Sequence, residues 1–362
     1  MIRRALGAAG VMLACIVCTA SAASADGARL AITRWGLHPE AYEVLSLDPI
    51  GSAELKIAAA RRDQLPAPYP FVRPAWSSSG DLVAFTGVVS WRQRRRAQPP
   101  PVGIFVATAG GGDLHLVPGT REGFAPVFSP DGGRMAFSRV RRHYRRNRHG
   151  GEDLVYESVT AWLLDLADGE ATRLTPWRNG LENAPSSFSP DGRTLAVTRR
   201  TGASRYEAVG LHLDGRPSTV LARGGLEPIF SPDGSRIALL RGHRRVFRER
   251  HREGRVTTES KTRTVATDLF VMNADGSGLR RLTRTSQWAE SGASWDPSGE
   301  RLAYTQTHLG AGIEDLLGIG DVIMEANADG SCPTPVFSDL DASFSAPVWQ
   351  PGPGREAGRI EC

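Results

Sequence analysis

One eleven-residue phrase recurs along the chain: FSPDGGRMAFS at 128–138, FSPDGRTLAVT at 188–198 and FSPDGSRIALL at 230–240. Its proline presets φ at the second position of a tight turn, its aspartate tolerates the next position, and its glycine suits the exit. An aromatic precedes the turn and residues alternating in polarity follow it, with the period of a half-buried strand. The phrase therefore spells a β-hairpin. Asp131 and its counterparts are single carboxylates in solvated turns, with no second acid, base or metal ligand at fixed spacing, and read as structural.

Looser copies stand at PAWSSSGDLVAFT (74–86) and ASWDPSGERLAYT (293–305), making five whole hairpins. A sixth is cut in two: APVWQPG (346–352) supplies only the aromatic strand, and DGARLAIT (26–33) only the second strand. Joined, they complete one repeat, as a closed ring without an open sheet edge requires. After each hairpin comes a second strand pair around a glycine turn, as in VGIFVATAGGGDLHLVP (102–118) and TDLFVMNADGSGLRRLT (267–283). Four strands in each of six repeats predict an all-β, six-bladed β-propeller, closed by pairing the C-terminal strand with the N-terminal strands. Trp76, Phe128, Phe188, Phe230, Trp295 and Trp349 are expected at equivalent places on the innermost strands, packing blade against blade.

These phrases resemble the SPDG-type, WD-like propeller repeats of the C-terminal domain of TolB and of the propellers of prolyl-oligopeptidase relatives. The resemblance covers essentially all of the chain beyond the leader. It implies architecture more than function, since such propellers serve as binding platforms, assembly partners and substrate gates. The propeller is expected to start directly after the leader, without the α/β domain that precedes it in TolB.

A length of 362 residues suits one long all-β unit, expected over 26–352 with a tail at 353–362. Residues 1–25 read as an export signal: Arg3 and Arg4, an apolar stretch from Ala5 to Ala20, and a small-residue cleavage site after Ala22 or Ala25. Cys15 is a weak lipidation candidate, because Met12 is a poor residue three places before it. The expected destination is the periplasm, the cell envelope or the exterior. With the leader removed, Cys332 and Cys362 remain, in a compartment that permits a disulfide. The tail leaving Gln350 should emerge beside the ADGSC turn of the sixth blade, so the two are expected to form a bridge.

Three repeats carry long arginine-rich insertions between their second and third strands, at 87–101, 139–157 and 241–266. Loops in that position lie on one face of a propeller, opposite the S-P-D-G turns. Arg92, Arg94, Arg95 and Arg96 from the first, Arg141, Arg142, Arg145, Arg146 and Arg148 from the second, and Arg244, Arg245 and Arg248 from the third would form a cationic rim. Such a rim concentrates anions, and guanidinium grips carboxylate or phosphate in two places. Among the 44 basic residues only Lys56 and Lys261 are lysines, so a bias toward arginine competes with a functional reading. The expected partner is a protein or an anionic cell-envelope polymer. Export argues against nucleic acid, and a monomer is expected.

No G-x-S-x-G elbow or H-E-x-x-H pair occurs, and beyond the leader, which holds Cys15 and Cys18, there is no cysteine pair with metal-ligand spacing. His143, His149, His243 and His251 lie among arginines that disfavour a metal cation. The leading expectation is an exported, non-enzymatic binding platform without cofactor or metal. The alternative is a hydrolase or lyase at the channel mouth, with Glu314 and Asp315 as first suspects.

Overall fold

The computed structural model describes residues 29–36, 41–48, 54–61, 67–68, 72–89, 101–146, 152–178, 181–202, 205–253, 256–285, 288–309, 321–339, 342–352 and 358–362, and every statement of structure concerns these. The expected export signal at 1–25, Glu314 and Asp315 lie outside them. Among the described residues no helix is long and apolar enough to cross a membrane.

All the regular structure is strand. β1 (Leu30–Gly36), β2 (Ala41–Leu47) and β3 (Glu54–Arg61) form one antiparallel run. β4 (Ala67–Pro68) and β5 (Ala75–Trp76) both pair with β6 (Leu82–Val88), followed by β7 (Val102–Thr108) and β8 (His115–Leu116). Then come β9 (Gly123–Phe128), β10 (Arg134–Arg146), β11 (Glu152–Asp165) and β12 (Ala171–Arg173), and next β13 (Glu182–Phe188), β14 (Thr194–Gly202), β15 (Arg205–His212) and β16 (Thr219–Arg223). β17 (Gly225–Phe230), β18 (Arg236–Glu253), β19 (Val256–Asn273) and β20 (Arg280–Arg281) precede β21 (Trp288–Trp295), β22 (Arg301–His308), β23 (Val322–Asn327) and β24 (Thr334–Ser338). The last are β25 (Ala342–Phe344) and β26 (Val348–Trp349), which return to pair with β1.

These strands make five hydrogen-bonded sheets rather than one per expected repeat. The eight-stranded sheet runs through two repeats, because Val159 of β11 forms a parallel pair with Glu182 of β13. The innermost strands nevertheless follow one another in a cycle: β5 packs on β9, β9 on β13, β13 on β17, β17 on β21, β21 on β26, and β26 on β5.

The turn phrase works through its serine. Ser129, Ser189 and Ser231 are buried, and each hydroxyl accepts the N–H five residues on, at 2.9, 3.0 and 2.9 Å. Each also donates to the aspartate two residues on, at 2.6 Å for Asp191 and 2.5 Å for Asp233. The Ser231 bond, with those from Ser235, draws Asp233 down to about 2. In WDPSG the roles are exchanged: Ser298 donates to Asp296 at 2.5 Å, and Asp296 accepts the Arg301 N–H at 2.8 Å. At the seam the Gln350 N–H bonds to Arg29 O at 2.7 Å, as Ser129 N–H does to Arg134 O at 2.8 Å within a whole hairpin. The two ends of the chain thus complete one repeat in register.

The core is divided among the junctions between successive repeats. One cluster joins Ile229, Leu240 and Leu269 to Trp295, Leu302 and Tyr304, and another joins Leu30, Ile32 and Leu45 to Ala303 and Ile323. Full burial of each large side chain stabilises by about 1.5–3 kcal/mol. Because a middle strand has a neighbouring repeat on each side, β6 and β7 are buried along both faces, not in the half-buried alternation expected. Trp76, Phe188, Trp295 and Trp349 are buried, whereas Phe128 and Phe230 are only partly so. The indoles of Trp76 and Trp295 donate across the junctions to Val348 O (3.0 Å) and Ile229 O (3.1 Å).

Cys332 and Cys362 form a disulfide, with Cα atoms 5.4 Å apart. Ile360 and Asn327 exchange two hydrogen bonds beside it, at 2.8 and 3.0 Å, holding the tail against the turn after β23.

Candidate functional site

Two of the three arginine-rich insertions are strands, not loops. β10 and β11 continue their ladder through Arg146 and Glu152, and β18 and β19 through Glu253 and Val256. The segment bearing Arg92, Arg94, Arg95 and Arg96 lies outside the described residues, as does Arg148. In the first ribbon Arg141, Arg145 and Arg146 are exposed. Much of their charge is opposed, since the register sets Arg145 against Asp153 and Arg146 against Glu152, and Arg142 pairs with Glu157 at 2.6 Å. The second ribbon differs. Arg244, Arg245 and Arg248 stand opposite Val265, Thr264 and Lys261. At its base the buried carboxylate of Asp268 holds His243 at 2.8 Å and Arg281 at 2.7 Å.

Both ribbons leave the ring at the end where the inner strands begin, and there the ring encloses a channel. It comprises cavities of about 350 and 470 Å³ that share Arg73 and Ser186. The larger opens on the side of the ribbons. Each inner strand contributes to it the residue three or four places before its aromatic anchor: Arg73, Ala125, Ala184, Glu227, Gly292 and Ala346. Where the ladder is irregular here, Ala125, Glu227 and Gly292 take positive φ of 55°, 49° and 46°. The preceding repeat holds two of these bulges. Thr86 Oγ1 accepts the Ala125 N–H at 3.1 Å, and Thr198 Oγ1 accepts the Glu227 N–H at 2.7 Å. Gly292 is required, since a Cβ there would lie 1.8 Å from that of Ala346.

Four of the six channel positions are alanine or glycine, and two carry opposite charges. Arg73 stands just before β5 and Glu227 in β17, three steps apart around the cycle and so on opposite walls. The Arg73 guanidinium reaches over to donate to Ser186 O, and Glu227 accepts the Gly292 N–H. Both are part-exposed to the lumen, yet protein surrounds them: burial raises the Glu227 pKa, and it lowers that of Arg73. The opposite charge of each partner counters the shift. At the rim Asp321 accepts Thr307 Oγ1 at 2.6 Å and the Phe344 N–H at 2.9 Å, and burial raises its pKa too. Sequence reading missed Arg73 and Glu227; the signal was their place before a proline where other copies of the repeat carry alanine. Among the described residues no group of three or more histidine, cysteine or acidic side chains could hold a metal ion.

No family model matches the chain, and no curated protein matches it in sequence. Solved structures do. TolB from Acinetobacter baumannii superposes with a TM-score of 0.63 at 18% identity, over 90% of this chain and 67% of that one. A putative TolB from Agrobacterium tumefaciens gives 0.54 at 15% identity, over 90% of this chain and 100% of that one. A nidogen/laminin complex gives 0.51 at 13% identity, over 88% and 98%. With the cycle of inner strands, these likenesses give the chain an all-β propeller fold of the TolB-like kind.

Proposed function

We propose that this chain is an exported, non-enzymatic six-bladed propeller that binds an acidic protein or an anionic cell-envelope polymer through its arginine-bearing face. The eight-stranded sheet is read as two blades bridged by one pair. The observation that carries the function is the middle of the β18–β19 ribbon, where Arg244 and Arg245 stand opposite Val265 and Thr264 and Arg248 opposite Lys261, although Arg250 further out stands opposite Glu259. Like charges at directly opposed positions destabilise a ladder, and a bound anion relieves them. The β10–β11 ribbon, with acids opposite its arginines, contributes less. The disulfide supports export, because such bonds persist in oxidising compartments. The nidogen/laminin complex shows a similar fold within a protein–protein assembly.

The test is capture of envelope components by the immobilised mature protein across a salt series, beside a variant with Arg244, Arg245 and Arg248 changed to glutamine. The reading expects a component that the native protein holds, the variant loses and salt releases. Equal capture by both proteins, or capture indifferent to salt, overturns it.

A further inference from the structure

The channel pair calls for an occupant. A cation and an anion stand on opposite walls where sister repeats carry alanine or glycine; each eases the burial of the other, yet among the described residues no carboxylate lies within ion-pair distance of Arg73. Each is held by one backbone partner, Ser186 O for Arg73 and the Gly292 N–H for Glu227. A guanidinium has five N–H donors and a carboxylate about four acceptor sites, so both retain capacity directed at the lumen. Glu227 also sits at a φ of 49°, which a side chain adopts only at a cost in strain.

Because the Arg73 side chain crosses to Ser186 in β13, it comes to the wall next to β17, which carries Glu227. The two charges therefore stand near enough to feel each other but with a gap between them. Trp35 and Phe124, both half-buried, line the same cavity of about 470 Å³, a size typical of small-molecule sites.

We infer that the upper channel is a binding site for a free α-amino acid with an apolar side chain, its carboxylate on Arg73, its ammonium on Glu227 and its side chain against Trp35 and Phe124. An α-amino acid carries a carboxylate and an ammonium on one carbon, so a single small molecule meets both Arg73 and Glu227. Bidentate guanidinium–carboxylate pairing fixes one end and a charge-assisted N–H···O bond the other. Asp321 lines the rim of the same cavity. This site is independent of the arginine ribbons.

The test is calorimetric titration of the mature protein with L-leucine and L-phenylalanine, alongside N-acetyl-L-leucine, which lacks the ammonium, and L-leucinamide, which lacks the carboxylate. The inference expects saturable binding of the free amino acids, and a loss of about tenfold or more for either blocked form, as when one partner of a charged hydrogen bond is removed. Arg73→Ala should abolish leucine binding, and Glu227→Ala should erase the preference for leucine over its N-acetyl form. Both substitutions copy residues already present at sister positions, and Glu227→Gln serves if the alanine variant melts early. Absence of saturable binding at millimolar concentration overturns the inference. So does equal binding of free and blocked forms, or unchanged binding by variants of native melting temperature. The arginine-to-glutamine ribbon variant should bind leucine as the native protein does, which separates this failure from that of the partner reading.

Discussion

Replacing both Cys332 and Cys362 by serine removes a cross-link that closes a loop 30 residues long. That loop holds β24, β25 and β26, so it contains the strands that close the ring against β1. Unfolding the native ring therefore opens the whole loop, and the bridge restrains the denatured chain rather than a frayed end. Loop-closure entropy for this length amounts to about 3.6 kcal/mol at 25 °C. With a urea slope of roughly 3 kcal/mol/M for a chain of this size, the midpoint should fall by about 1.2 M. The assay is urea unfolding followed by tryptophan fluorescence, on native protein and double variant. Two results refute the reasoning: coincident midpoints, which would mean that the denatured chain gains nothing from release, or two titratable thiols in unreduced native protein.

Asp296→Ala should cost about 1–3 kcal/mol, because it strands the half-buried Arg301 N–H and the Ser298 hydroxyl. The double exchange Asp296→Ser with Ser298→Asp rebuilds the arrangement of the other turns and should recover most of that loss in thermal melts; equal instability of the two variants would show that the hydrogen-bond pattern is not what matters. Gly292→Ala forces its Cβ to 1.8 Å from that of Ala346 at a φ of 46°, so overpacking of about 1–3 kcal/mol adds to backbone strain. A second change, Ala346→Gly, should restore the overpacking part, and a failure to restore any would place the cost elsewhere. Glu325 is pushed up to about 7, chiefly by burial, which its 3.0 Å pairing with Arg301 only partly offsets. Between roughly pH 4.5 and 7 the folded state keeps a proton that the unfolded chain has released, so stability falls as pH rises, by up to about 1.4 kcal/mol per pH unit. The melting temperature should be higher at pH 5 than at pH 7.5, with Glu325→Gln flattening the difference; a matching slope in the variant would assign the effect to other groups.

The turn phrase was legible because its residues make local bonds: serine, aspartate and glycine within six positions specify the hairpin wherever they occur. The disulfide was legible for a topological reason, as the tail has only one turn beside which to emerge. The arginine ribbons were not. Alternation reveals a strand only when one face is apolar, and a ribbon projecting beyond its sheet has polar residues on both faces, so 139–157 and 241–266 read as loops. Continuous burial along β6 and β7 was hidden for the opposite reason, since both faces meet a neighbour. Arg73 and Glu227 escaped because each is a single departure within a repeat, visible only when copies are set side by side.

The seam has a consequence for the order of events in synthesis. Thr33 N–H bonds to Ser345 Oγ, 312 residues away, and β1 has no partner on its inner edge until β25 and β26 exist. Of the described strands the first to be made is thus among the last to be covered, and a nascent chain carries an open, largely apolar edge until the strands beyond residue 342 have been added. Any product cut short before residue 342 keeps that edge permanently, so truncated chains should self-associate even though most of their repeats are intact.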